Sequence, residues 1–134
     1  MLALREDALS TTARGFELRV GLPWIRSLPL SGVTDLRVGL DGEVVASTRI
    51  LLGERRIEPA ALVDERGWWH LQDRLVVTAE VDVTPGRHRV TVDFSILVPY
   101  LRSGPDTPLV IPLHLEADLE TDQQVSPSVA RDVA

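Results

Sequence analysis

Three histidines and a handful of carboxylates are the residues of this chain best suited to acid–base or metal chemistry: His70, His88 and His114, with Glu80, Asp82, Asp93 and Glu116. Carboxylates close in sequence, such as Glu80, Asp82 and Asp93, can divide the roles of general acid and base when their surroundings separate their proton affinities. His114 and Glu116 stand two apart and so project to one side of an extended strand; with His88 they would supply three metal ligands. Nothing in the linear order brings His88 beside them, and two ligands at i and i+2 are a weak metal signal. His70 follows Trp68 and Trp69, and a partly buried imidazole there would exchange a proton near neutral pH. Each group also has a structural reading. Polar-out alternation accounts for the carboxylates as a solvated face, and the histidines read as satisfied structural side chains. No catalytic and no metal-binding residue is assigned. Other chemistries fall with composition. The fourteen basic residues are all arginine, which removes Schiff-base lysines and phosphate loops, and the absence of cysteine removes disulfides and thiolates.

The surplus is apolar instead. Pro23-Trp24-Ile25-Arg26-Ser27-Leu28-Pro29-Leu30 follows neither a period of 2 nor one of 3.6, yet carries four large apolar side chains. A solvated loop does not need them. Trp24, Ile25, Arg26, Leu28, Pro29 and Leu30 are therefore the candidate partner interface, with Tyr100 and Arg102 added from the end of a later strand; Trp, Tyr and Arg are the types that anchor interfaces. The same loop would serve equally as a plug over the open end of a β domain. Both readings stand on composition.

The elements that must position these residues are strands. Val90, Val92, Phe94, Ile96, Val98 and Tyr100 alternate in Arg87–Tyr100, as do Leu75, Val77, Ala79, Val81 and Val83 in the preceding segment. With Thr84-Pro85-Gly86-Arg87 as a turn, Val81 would oppose Val90, Ala79 Val92, Val77 Phe94 and Leu75 Ile96; Asp82 would meet Arg89, Glu80 Thr91 and Asp93 Thr78. Phe16, Leu18, Val20 and Leu22 mark an earlier strand opened by Gly15. Asp41-Gly42 predicts a hairpin across residues 33–47, and Gly53-Glu54 a weaker one across 50–57. Pro59-Ala60-Ala61 allows about one helical turn. LRSGPDTP after Tyr100 reads as an irregular connection, and Leu109–Glu120 as a last strand that Pro112 assigns to an edge or a bulge. These segments predict an all-β, two-sheet antiparallel β-sandwich over residues 15–120, with Val81, Val90, Val92, Phe94 and Ile96 in its core. Residues 1–14 form an N-terminal lead-in and 121–134 a C-terminal tail expected to be mobile.

The chain has 134 residues and a formal charge of −6. That suits one domain and argues against a nucleic-acid partner, since no basic stripe is present. No apolar run reaches the length of a bilayer span and no secretion signal opens the chain, so a cytoplasmic location is expected.

GFELRVGLPWIRSLPLSGVTDLRVGLDGE, with its aromatic-Ile-Arg-Ser-Leu-Pro-Leu-Ser loop followed by a strand and an Asp-Gly turn, resembles the small (beta) subunit of bacterial C-glycoside deglycosidases. The Thr-Pro-Gly-Arg-His turn and the strand ending in Val98-Pro99-Tyr100 follow in matching order, so the resemblance covers about Gly15 to Glu120. The family pattern has two aromatics before the loop arginine; here Ile25 takes the place of the second. The resemblance implies a non-catalytic small subunit of a heteromeric carbon–carbon lyase, whose large (alpha) subunit is a metal-dependent barrel similar to sugar isomerases. That subunit would act on a 3-oxo-C-glucoside: the ketone acidifies the C2 proton, a base removes it, a divalent metal such as manganese stabilises the enediolate, and the aglycone carbon leaves after protonation. The base and the metal ligands would lie on the large subunit, and this chain would hold no cofactor. Two other functions compete. One is a stand-alone carbohydrate-binding sandwich stacking Trp24, Trp68, Trp69 and Tyr100 on sugar rings; the other is a small hydrolase or isomerase built on His70.

Overall fold

The computed structural model describes residues 3–104, 107–123 and 132–133, with side chains described for 3–98, 109–123 and 132–133. In chain order its strands are β1 (Leu9–Thr11), β2 (Phe16–Gly21), β3 (Leu28–Pro29), β4 (Val33–Leu40), β5 (Glu43–Val44), β6 (Arg49–Leu52), β7 (Arg55–Ile57), β8 (Trp68–Trp69), β9 (Arg74–Ala79), β10 (Arg87–Gly104) and β11 (Thr107–Glu120). Short 3-10 helices at Leu30–Gly32 and Pro59–Asp64 follow β3 and β7. The strands pair antiparallel into three sheets, ordered β1-β2-β9-β6-β7, β11-β10-β4-β5 and β3-β8.

Alternation explains most of these elements. Phe16, Leu18 and Val20 of β2 are buried while Glu17 and Arg19 between them are only partly buried. Gly15 is needed where β2 begins, because a Cβ there would sit 1.8 Å from the Ala79 carbonyl oxygen. Asp41 (φ 52°) and Gly42 (φ 88°) both take the left-handed conformation of a type I′ turn between Leu40 and its partner Glu43. The Gly53-Glu54 hairpin forms as predicted, with Leu52 opposite Arg55, and Pro59 opens the second helix at a position that suits its fixed φ. Pro112 lies on β11, the edge of its sheet, where its missing N–H breaks no ladder on the outer side. One buried cluster draws on both large sheets: Phe16, Leu18, Leu75 and Val77 from the first, Val38, Val90, Val92, Phe94 and Ile96 from the second.

The expected pairing of the central segments does not occur. β9 lies between β2 and β6, and β10 lies between β4 and β11, in different sheets. Phe16 opposes Ala79 and Leu18 opposes Val77, while Val90 opposes Leu40 and Ala117. Glu80–Gly86 is the crossing between the sheets and belongs to no strand. Val81, expected in the core, is only partly buried along this crossing. The physical reason is that alternation specifies which face of a strand is buried but not which strand lies beside it. The connection after Tyr100 also differs, since β10 continues to Gly104 with register shifts after Val98 and Arg102.

Residues 1–14, expected as a lead-in, contribute β1 and the buried Leu4, Ala8 and Leu9. The Asp7 carboxylate meets the Arg74 guanidinium at 2.8 Å. In the expected tail, Asp132 bridges Arg74 and accepts from Arg19 Nε at 3.0 Å, and Asp122 accepts from Thr11 N–H at 2.8 Å. Residues 124–131 and 134 lie outside the described residues.

Phe94→Ala empties the centre of the shared core and should lower the unfolding free energy by roughly 3–5 kcal/mol. Urea unfolding of the variant beside the parent chain checks this.

Candidate functional site

The Pro23–Ser31 loop is held by contacts that its sequence pattern does not show. Leu28 pairs with Trp69 and Pro29 with Trp68 in the β3–β8 sheet. Leu30 N–H donates to the Gly67 carbonyl at 3.0 Å, and Leu71 N–H donates to Ser27 Oγ at 2.8 Å. Leu28 and Leu30 are buried in the core, Trp24 is half-buried against it, and Arg26 is exposed. Ile25 is 76% exposed. The side chains of Tyr100 and Arg102 lie outside those described.

Other apolar surface lies on the elements around this loop. Trp68, opposite Pro29, is 49% exposed, and Val63, on the helix that packs against Leu30–Gly32, is 59% exposed. Val63 also lines an open groove of about 500 Å³ with Pro59, Val33, Leu36 and Arg37. A bulge shapes the groove's other wall: Asp35 (φ 56°) and Leu36 together oppose Phe94, between the pairs Arg37–Asp93 and Thr34–Ser95. Trp69, by contrast, is fully buried. Its ring centroid is 5.8 Å from that of Phe94, and its indole N–H donates to the Asp73 carbonyl at 3.1 Å. It is therefore unavailable to stack on a sugar.

The charged residues settle into cross-strand pairs. Arg89 meets Glu116 at 2.9 Å and Asp118 at 3.2 Å rather than Asp82. Glu80 lies 3.7 Å from Arg14, and Asp93 accepts from His114 Nδ1. The Asp93 hydrogen bond raises the His114 pKa above the ordinary imidazole value. Of the three carboxylates grouped by the expected hairpin, Glu80 and Asp82 stay together on the crossing while Asp93 lies in β10. His70 is exposed, not partly buried, which removes the apolar surroundings that its acid–base role required. Among the described residues no three His, Asp or Glu side chains converge as metal ligands.

His88 is the one buried imidazole, at 8% exposure. Its Nδ1 lies 2.6 Å from Asp41 Oδ2 and its Nε2 lies 2.6 Å from the Thr84 carbonyl oxygen. These bonds, the Asp41 bond first, raise the His88 pKa; the same bond, followed by the Arg89 N–H donated to Asp41 Oδ1, lowers that of Asp41.

A family model described as "C-glycoside deglycosidase beta subunit" matches residues 4–100, most of the described chain. The chain belongs to that family. It is 32% identical over 100 residues to the 3'-dehydrocarminate deglycosidase beta subunit of a Microbacterium species, covering 72% of this chain and 76% of that one. The C-glycoside deglycosidase beta subunit of Arthrobacter globiformis is 30% identical over 89 residues, covering 63% and 68%. That of Microbacterium trichothecenolyticum is 25% identical over 104 residues, covering 73% and 78%. Within this beta subunit, Val63 and the His88–Asp41 pair are the features that sequence reasoning did not single out together. The second had a signal: His88 shares the inward parity of Val90 and Val92, and a histidine on a buried face requires partners.

Leu28→Ala should destabilise the beta subunit by about 2–5 kcal/mol, whereas Ile25→Ser should change its stability by no more than about 0.5 kcal/mol. Thermal and urea unfolding of the two variants separate the buried from the exposed half of the loop.

Proposed function

We propose that this beta subunit is the non-catalytic small subunit of a heteromeric C-glycoside deglycosidase, docking on a metal-dependent, barrel-type large subunit through Trp24, Ile25 and Arg26 with Trp68 beside them. The observation that carries the proposal is the division of the loop. Leu28 and Leu30 anchor it in the core and leave Ile25, 76% exposed, on a fixed support. An apolar side chain held rigidly in water gains on transfer to a partner and loses little conformational freedom. The half-exposed Trp68 and Val63 extend the same kind of surface over neighbouring elements. Tyr100 and Arg102 remain part of the proposed surface by their position near the end of β10.

The chemistry belongs to the partner in this proposal. A base there takes the C2 proton next to the C3 ketone of a 3-oxo-C-glucoside, the electron pair moves to form the C1–C2 double bond as the bond to the aglycone breaks, and the leaving carbon is protonated. A divalent metal on that subunit, manganese by the resemblance, would supply charge stabilisation for the enediolate. This chain's share is to support the large subunit and the rim of its pocket. We also infer that the two large sheets stack face to face as a sandwich, because one buried cluster draws side chains from both.

Co-purification with the large subunit and titration calorimetry test the docking. Trp24→Ala should weaken association by about 2 kcal/mol or more if it is a hot spot, and Ile25→Arg should weaken it about tenfold or more without lowering the melting temperature of the free beta subunit. Unchanged affinity in both variants would overturn the docking role of the loop.

A further inference from the structure

Two turns that stand out in the sequence, Asp41-Gly42 and Thr84-Pro85-Gly86-Arg87-His88, converge on one buried ring. We infer that His88 is held as an imidazolium in the folded chain and acts as a proton-controlled latch, fastening the β4–β5 turn and the sheet crossing to the start of β10. The donor inventory requires the charge. A backbone carbonyl can only accept, so Nε2 at 2.6 Å from the Thr84 oxygen carries a proton. An ionised carboxylate likewise only accepts, so Nδ1 at 2.6 Å from Asp41 Oδ2 carries the second. A neutral ring would leave one nitrogen lone pair facing an oxygen at close range.

The latch acts where the backbone ladder ends. β4 pairs with β10 up to Leu40–Val90. Asp41 then donates its N–H to the Arg89 carbonyl at 2.8 Å and accepts the Arg89 N–H on Oδ1 at 2.9 Å, so its side chain completes the pair that the turning backbone abandons. His88 holds the other carboxylate oxygen in place. Beyond the turn β5 is retained by the ladder pairs Gly39–Val44 and Leu40–Glu43 and by the Val45 N–H donated to the Val38 carbonyl at 2.8 Å, and both Glu43 and Val44 are exposed. Asp41 is the charged group that the ring's hydrogen bonds reach. Arg87 and Arg89 alternate to the opposite face of β10, Leu119 lies opposite His88 on β11, and Asp118 and Glu120 lie opposite the two arginines.

The direction with pH follows. The His88 pKa is raised in the folded chain, so its stabilising contribution is fully present below the unfolded-state histidine value and is lost as pH rises through the folded one. The Asp41 pKa is lowered, so its contribution is lost only as pH falls through that depressed value. The latch holds between the two.

The test is an NMR titration of the His88 ring in the full chain, with amide exchange measured at Gly42–Val45. The expected result is a His88 midpoint above that of a histidine in the urea-unfolded chain, with exchange at the turn rising at least threefold beyond its intrinsic pH dependence as that midpoint is passed. Asp41→Asn, which tolerates the left-handed turn position, should move the midpoint down toward the unfolded value. A midpoint at or below the unfolded value, a midpoint that Asp41→Asn leaves in place, or turn exchange that follows only the intrinsic rise would each overturn the latch.

Discussion

The packing of Trp69 against Phe94 is the contact on which the arrangement of this beta subunit depends. Phe94 sits in β10, at the centre of the core, and Trp69 sits in β8, which pairs with the loop strand β3. The indole therefore links the long four-stranded sheet to a two-stranded one too small to be stable alone. Its N–H is satisfied by the Asp73 carbonyl, so the ring is buried without an orphaned donor. With Trp69 fixed, Leu28 is placed by its partner across the ladder and Leu30 follows into the core two residues later. The exposed tip at Ile25 inherits that rigidity. A segment with no regular period becomes a presented surface in this way, and the burial that anchors it lies in residues adjacent to those it displays.

Electrostatics divides the molecule differently. Most ion pairs are on the surface, where side-chain entropy and solvent screening leave each with little net effect, and the Arg89–Glu116–Asp118 group and the Asp93–His114 pair belong there. The polar contacts with structural consequence are fewer and more enclosed. Asp7 with Arg74 ties the N-terminal segment to β9, and His88 with Asp41 and Thr84 joins a turn, a crossing and a strand at one point. Both sit where ladder pairing runs out, and Asp41 there accepts the Arg89 N–H that the ladder leaves unpaired.

Much of the fold was legible residue by residue. The inward faces of β2, β10 and β11, the Asp41-Gly42 and Gly53-Glu54 turns, the helical turn at Pro59 and the edge position of Pro112 all follow from period, turn chemistry and the missing proline donor. Strand neighbours were not legible. Leu75–Val83 and Arg87–Val98 alternate in a way that satisfies a hairpin, yet the first pairs with β2 and β6 and the second with β4 and β11. The crossing keeps its period through Val81 and Val83 because both pack partly on the core while bonding to no strand. Local pattern carries no term for that choice.

What this sequence determined alone is which side chains must leave water and which backbone positions need glycine, proline or a left-handed conformation, since those preferences act within a few residues. It also carried enough of the family pattern to indicate a beta subunit. What the tertiary structure decided is which of those side chains meet. It split the Pro23–Ser31 loop into buried leucines and an exposed Ile25, took Trp69 out of reach of any ligand, placed Asp93 on a different element from Glu80 and Asp82, and brought His88 from one turn onto Asp41 of another. These outcomes depend on long-range pairing, where competing arrangements bury similar apolar area locally and only the shared core distinguishes them.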